Sequence, residues 1–178
     1  GKNVVLVGAP GVGKTRLAER IMEVADKIIP GDPPKGFDVR VAHKEWTRRH
    51  VIGGLKINSQ EFEVGCVTAA AEKNKWLLID EFNRADINQA FGEMFFGIER
   101  LHITLSDEES KAYGKQEINI PENFRMVCTM NDFDKNLLLT ELSYGLLSRF
   151  AFIDIRLDDK TEKASVKDQL VPRHVTKE

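Results

Sequence analysis

The sequence predicts a three-layer α/β fold around a five-stranded parallel sheet, and three observations carry that expectation. Five short apolar runs, Val4–Val7, Asp38–Ala42, Trp76–Asp80, Met126–Thr129 and Ala151–Ile155, alternate with stretches of helical spacing. The first run passes without a break into Gly8-Ala9-Pro10-Gly11-Val12-Gly13-Lys14-Thr15, and that octapeptide passes into Leu17, Ala18, Ile21, Met22 and Ala25 at helical spacing. The third and fourth runs end in polar residues, Asp80-Glu81 and Asn131. In an open parallel sheet those carboxyl ends are the edge that meets a ligand.

The octapeptide is a complete phosphate-binding loop. Its glycines let the backbone wrap an anion so that successive N–H groups point inward. The loop opens a helix, whose N-terminal dipole favours phosphate. Lys14 supplies a point charge for the β- and γ-phosphates, and the Thr15 hydroxyl is placed to ligate Mg²⁺. Residues Gly8 to Thr15, with Arg16 behind them, are therefore the candidate nucleotide-binding set.

Further along, Pro30-Gly31-Asp32-Pro33-Pro34-Lys35-Gly36 reads as a rigid loop into the second strand. Leu55–Asn58 and Glu61–Val64 both alternate, which predicts a small hairpin turning at Ser59-Gln60, an ordinary surface loop being the alternative. A second pair, Leu101–Leu105 and Glu117–Ile120, flanks a polar loop over Ser106–Lys115. Between the hairpins, Asp86 with Gln89 three residues on makes a capping-box start for a helix over Ile87–Arg100. Its stripe of Ile87, Ala90, Phe91, Met94, Phe95 and Ile98 belongs in the core.

Composition narrows the function classes. The chain has 178 residues, enough for one domain with a sizeable core, and its 26 Lys+Arg against 28 Asp+Glu leave no global basic footprint for nucleic acid. The basic residues Lys44, Arg48, Arg49 and His50 cluster near Trp46, but so short a run is more often a solvated face. Cys66 and Cys128 lack metal-ligand spacing and read as reduced buried thiols, and four scattered histidines make no zinc site. No leader and no run of 18 apolar residues is present, so an intracellular, cytoplasmic protein without a membrane is expected. The charged stretch over residues 157–178 reads as a tail, or as the start of a truncated lid, behind a core of residues 1–156.

The strand tips carry the chemistry. Asp80 is placed to hold Mg²⁺, through water, since Mg²⁺ keeps several waters and takes few protein ligands. Glu81 is placed to deprotonate the water that attacks the γ-phosphate. Asn131 offers an amide donor and acceptor to the γ-phosphate or that water. Arg149, in the stretch Leu146-Leu147-Ser148-Arg149-Phe150 that ends a short predicted helix before the last strand, is costly to bury alone and suits an anion, either as a bidentate contact to a neighbouring subunit's γ-phosphate or as a salt-bridged helix end.

In order and spacing the phosphate loop, Asp80-Glu81, Asn131 and Arg149 resemble an AAA+ ATPase core, and within it the dynein-related branch that includes MoxR-like and McrB-like proteins. Ile79-Asp80-Glu81-Phe82-Asn83-Arg84-Ala85-Asp86 is similar to that branch's "IDEINRA" segment. Cys128-Thr129-Met130-Asn131 and Arg149-Phe150-Ala151-Phe152-Ile153 are similar to its "GTMN … RRFAF" segment, with Ser148 in place of the first arginine. Trp46 with Ile52-Gly53-Gly54 resembles the lead into that branch's helix-2 insert.

The resemblance implies a P-loop NTPase sheet of order 5-1-4-3-2, a helix-2 insert hairpin and a hairpin before the sensor strand. No helical lid is recognisable after residue 156. It further implies ATP with Mg²⁺ (GTP as the alternative), Lys14 and Thr15 at phosphate and metal, and Asp80 at metal. Glu81 becomes the base, Asn131 the sensor and Arg149 a trans-acting finger, with Arg84 approaching the neighbouring site.

Three functions compete. The leading one is an ATP-hydrolysing ring motor, a hexamer in the full-length protein, that remodels a protein substrate or adaptor. The second is a McrB-like, GTP-dependent DNA translocase subunit of a restriction system. The third, a nucleotide switch without turnover, has no need of the base that Glu81 provides.

Overall fold

The computed structural model describes residues 2–28, 33–132 and 149–156. Its centre is a five-stranded sheet built from β1 (Asn3–Gly8), β2 (Phe37–Val41), β5 (Trp76–Asp80), β8 (Met126–Asn131) and β9 (Phe150–Asp154). The strands are all parallel and lie side by side as β2-β5-β8-β1-β9. Numbered among themselves, that is the order 5-1-4-3-2 read from the far edge. The central strands are buried on both faces, as parallel strands between two helical layers must be.

Helix α1 (Lys14–Ile28) covers one face, where Ala18 and Met22 pack on Leu6, Leu78 and Val127. Leu17, counted into the apolar stripe of this helix, is instead 39% exposed. The other face carries the larger core, under α3 (Cys66–Glu72) and α4 (Ile87–Arg100). There Phe82, Phe91, Phe95 and Phe150 form a chain of ring contacts with centroids 4.9–6.2 Å apart, the offset geometry that aromatic quadrupoles favour. Asp86 caps α4 by accepting from the Gln89 amide at 3.0 Å. Both thiols are free and buried. Burial pushes the Cys66 thiol up to about 11 and Cys128 higher still, so neither is a thiolate at neutral pH.

Two antiparallel hairpins stand off the sheet. The first pairs β3 (Gly53–Leu55) with β4 (Phe62–Val64), so its first strand begins two residues earlier than expected and the predicted strand residues 56–58 form the connection. Ile57 on that connection is 92% exposed. Gly53 sits at φ +131°, and a side chain there would meet the Glu63 carbonyl and the Phe62 ring at 2.6–2.7 Å. The second hairpin pairs β6 (His102–Thr104) with β7 (Glu117–Asn119).

The polar loop expected between β6 and β7 is corrected: it contains helix α5 (Asp107–Tyr113). Ser106 accepts from the Glu109 amide at 3.2 Å while the Glu109 carboxylate accepts from the Ser106 amide at 3.1 Å, a capping box that starts the helix. Gly114 at φ +80° ends it.

Arg48, in the short helix α2 (Arg48–Val51), ties the two hairpins together. Its guanidinium donates to the Gly53 carbonyl and to Glu109, both at 2.8 Å, and to Glu93 of α4. Burial pulls the Arg48 pKa down, but the hydrogen bonds and charges of Glu93 and Glu109 outweigh it and the net shift is upward. Arg49 pairs with Glu63 at 2.9 Å, and His50 accepts from the Thr47 amide at 3.2 Å. Much of the basic cluster near Trp46 is thus engaged inside the chain.

The short predicted helix before the last strand and the segment over residues 157–178 lie outside the described residues, apart from Arg149 itself. Ser148 does as well.

Two glycines give opposite expectations for stability. A Cβ on Gly65 would lie 2.4 Å from the carbonyl group of Val51, a backbone that cannot swing aside. Gly65→Ala should therefore destabilise by about 1–3 kcal/mol. Gly92, inside α4, has nothing within 4 Å of the added methyl, so Gly92→Ala should stabilise by about 0.5–1 kcal/mol through helix propensity. Thermal unfolding of the two variants should bracket the parent protein.

Candidate nucleotide site

Register brings the site together. Gly8 of β1 pairs with Asn131 of β8, and the β5–β8 pairing runs through Ile79 and Cys128, which puts Asp80 next to Thr129. The carboxyl ends of three adjacent strands therefore converge on the β1–α1 loop. That loop bends through Gly11 at φ +82° and Gly13 at φ +86°, a conformation that side-chain-bearing residues adopt at a cost of about 1–2 kcal/mol. Gly8 is needed for closeness: a Cβ there would lie 2.5 Å from the Ile155 carbonyl oxygen. The turn and strand tips enclose a cavity of about 350 Å³, open along the loop.

Lys14 is only 8% exposed. Its ammonium donates to the carbonyls of Gly8 and Ala9, each at 2.9 Å, and to Asn131 Oδ1 at 3.2 Å. A buried cation needs such acceptors, and held by these three Lys14 lines the cavity. Asn131 is thereby fixed with its carbonyl toward Lys14. Pro10, Gly11, Gly13 and Arg16 line the cavity, while Val12 closes the turn through its amide to the Ala9 carbonyl at 3.4 Å.

The acidic side has one organising atom. Asp80 Oδ1 accepts from the Thr15 hydroxyl at 2.9 Å and from the Thr129 hydroxyl. Thr129 Oγ1 in turn accepts from the Glu81 amide at 3.2 Å. Thr129 is 1% exposed, and sequence reasoning passed over it as one more strand residue. The available signal was a hydroxyl in a run otherwise apolar and buried, which needs a partner.

Glu81 has φ +55° and ψ +39°, left-handed for a residue with a side chain. Strain of this kind concentrates at functional sites, and here the Thr129 bond to its amide holds it. The turn directs the Glu81 side chain over the cavity. Its carboxylate also accepts from Arg84 Nε at 3.0 Å, so Arg84 lies beside Glu81 of its own chain.

The donor chemistry fits Mg²⁺. Thr15 and Asp80 present a hydroxyl and a carboxylate oxygen side by side, both hard ligands. Among the described residues no group of three or more His, Cys, Asp or Glu could hold a metal alone. An ion at Thr15 and Asp80 would take its remaining ligands from phosphate and water, as Mg²⁺ does.

Arg149 is not part of this cluster. Asn3 pairs with Phe150, and the Asn3 amide donates to the Arg149 carbonyl at 3.2 Å, so Arg149 sits at the amino-terminal end of the sheet. The five-residue rise from Asn3 to Gly8 separates it from the loop by about 17 Å. Among the described residues no helix is long and apolar enough to cross a membrane.

The model of the family "AAA domain (dynein-related subfamily)" matches residues 3–150. The chain is also similar to the "Type IV methyl-directed restriction enzyme EcoKMcrB subunit" of Escherichia coli strain K12, with 29% identity over 172 residues, covering 86% of this chain and 35% of that protein. It thus spans about a third of the relative's length. With the match running from β1 to the start of β9, the chain belongs to the dynein-related subfamily of AAA domains, nucleoside triphosphatases that bind nucleotide with Mg²⁺.

Proposed function

We propose that this domain hydrolyses a nucleoside triphosphate with Glu81 as the base, and that the site is completed between subunits of a ring. The observation that carries the reading is the division of the sheet: Lys14, Thr15, Asp80, Glu81 and Asn131 at one end, Arg149 at the other. The loop amides and Lys14 bind the phosphates. Thr15 and Asp80 hold Mg²⁺, which neutralises charge on the β- and γ-phosphates. Glu81 takes a proton from the attacking water, and Asn131, already oriented by Lys14, hydrogen-bonds the water or the γ-phosphate. An arginine about 17 Å from its own loop serves a neighbour's γ-phosphate instead.

Two uses of such a motor remain distinct. The similarity to a restriction-enzyme subunit favours a McrB-like, GTP-dependent motor on DNA over an ATP-driven motor on a protein partner. The engagement of Arg48 and Arg49 with carboxylates argues that any DNA contact is made elsewhere than at the cluster near Trp46. Turnover of GTP and ATP by the full-length protein, with methylated and unmethylated duplex DNA, decides between them. GTP preference with stimulation by DNA supports the first use. ATP preference with indifference to DNA supports the second.

Glu81→Gln should bind Mg²⁺–nucleotide nearly as well as the parent while turnover falls about 10²–10⁴-fold; calorimetry and phosphate release read the two separately. Arg149→Ala should lose about 10³–10⁵-fold, and mixing it with Glu81→Gln subunits should restore activity, because one interface then joins an intact base to an intact arginine. Thr129→Val keeps shape but removes both bonds at Asp80 and Glu81. It should lower kcat about tenfold or more, with nucleotide affinity in EDTA unchanged.

A further inference from the structure

A second organised cluster lies at the amino-terminal end of the sheet. Arg149 crosses the C-terminal part of α4, its Cζ 5.4 Å from the centroid of the Phe96 ring and its Nη2 donating to the Glu99 carboxylate. Phe96 and Glu99 are three residues apart on α4 and so share one helix face. That face is not core: Phe91 and Phe95 are buried, whereas Phe96 is 55% exposed. A cavity of about 340 Å³, lined in part by Glu99, Arg125 and Arg149, opens beside the pair.

The face of the Phe96 ring is used within the chain, by the Arg149 guanidinium. A ring face fixes the plane of a guanidinium, and a carboxylate fixes its rotation within that plane. Arginine otherwise samples many rotamers, and each bond it makes to a distant anion must overcome that freedom. Glu99 is largely exposed, at 64%, so its attraction is screened and shallow. The Arg149 side chain itself is 22% exposed, so the guanidinium rests against α4 in a fixed orientation, and a phosphate carrying more charge has to draw it from the exposed Glu99.

We infer that Phe96 and Glu99 are positioning residues for Arg149, aiming its guanidinium at the triphosphate bound by a second copy of the chain. This rests on the trans-acting role proposed above for Arg149. The two residues act only through the arginine, so their loss should appear in the chemical step and in the same subunit of the interface as the loss of Arg149.

The test uses Glu99→Gln, Phe96→Ala and Phe96→Tyr in the full-length protein. Glu99→Gln and Phe96→Ala should each lower kcat about 10–100-fold, the scale of a misaligned group, with KM within about twofold. Phe96→Tyr, which keeps the ring face, should restore near-parental turnover. Glu99→Gln should have no further effect in an Arg149→Ala background. Mixed with Glu81→Gln subunits it should regain activity, and mixed with Arg149→Ala subunits it should not.

If Arg149→Ala itself turns over normally, the trans-acting reading falls and this inference with it. If Arg149→Ala is slow but Glu99→Gln is as fast as the parent, or slows Arg149→Ala by the same factor again, the positioning role alone is overturned. Should Phe96→Ala fail to fold, the exposed Glu99→Gln substitution carries the decision unaided.

Discussion

One carboxylate oxygen, Asp80 Oδ1, accepts hydroxyl hydrogens from Thr15 and Thr129, and the geometry of the site depends on that convergence. Thr15 belongs to the first turn of α1, Asp80 to the tip of β5 and Thr129 to β8. The shared oxygen therefore ties the phosphate loop to two neighbouring strands. Thr129 passes the constraint on by accepting from the Glu81 amide, which secures a left-handed residue that the backbone alone disfavours. The Thr129 hydroxyl thus touches both Asp80 and Glu81, while Lys14 is held through Gly8, Ala9 and Asn131. The two halves of the site are joined by the sheet register and by the Lys14-Thr15 step at the start of α1.

The register also divides the candidate residues between the two ends of the sheet. Parallel strands all present their carboxyl ends to one side, so residues at those tips gather at the β1–α1 loop. A residue just before β9 has to appear at the opposite side. Arg149 is there because the chain enters β9 next to Asn3, and a closed structure of this topology has no route for its side chain back to Gly8.

Much of this was legible in the sequence because the signals were local. Glycine spacing, the apolar run ending in Asp80-Glu81, and the stripe on α4 each need only their own neighbours in the chain. What escaped was of two kinds. Helix α5 was missed although Ser106 and Glu109 form a capping box, because none of its residues is buried and a helix without an apolar stripe gives periodicity nothing to register. Thr129 and the orientation of Arg149 were missed because their roles come from partners 48 to 50 residues away, and no spacing within the chain encodes such distances. The first hairpin was found but shifted, since alternation over residues 55–58 imitates a strand. The real constraint, the close approach of Gly53 to β4, has no alternating pattern.

Helix α4 is where these separate constraints come together. It begins two residues after the short turn over Phe82–Arg84 that follows Glu81, and Phe82 is locked against Phe91 on its first turns, with centroids 4.9 Å apart. Midway, Glu93 takes the Arg48 guanidinium that also holds Gly53 and Glu109, so both hairpins hang on this helix. At its far end Phe96 and Glu99 hold Arg149. Fourteen residues make a rod about 21 Å long, enough to run from one edge of the sheet to the other. A close-packed helix with a buried aromatic stripe shifts as a body, because its core side chains cannot be compressed one at a time. Glu81 through its neighbour Phe82, the two hairpins through Arg48, and Arg149 are therefore all anchored on one helix.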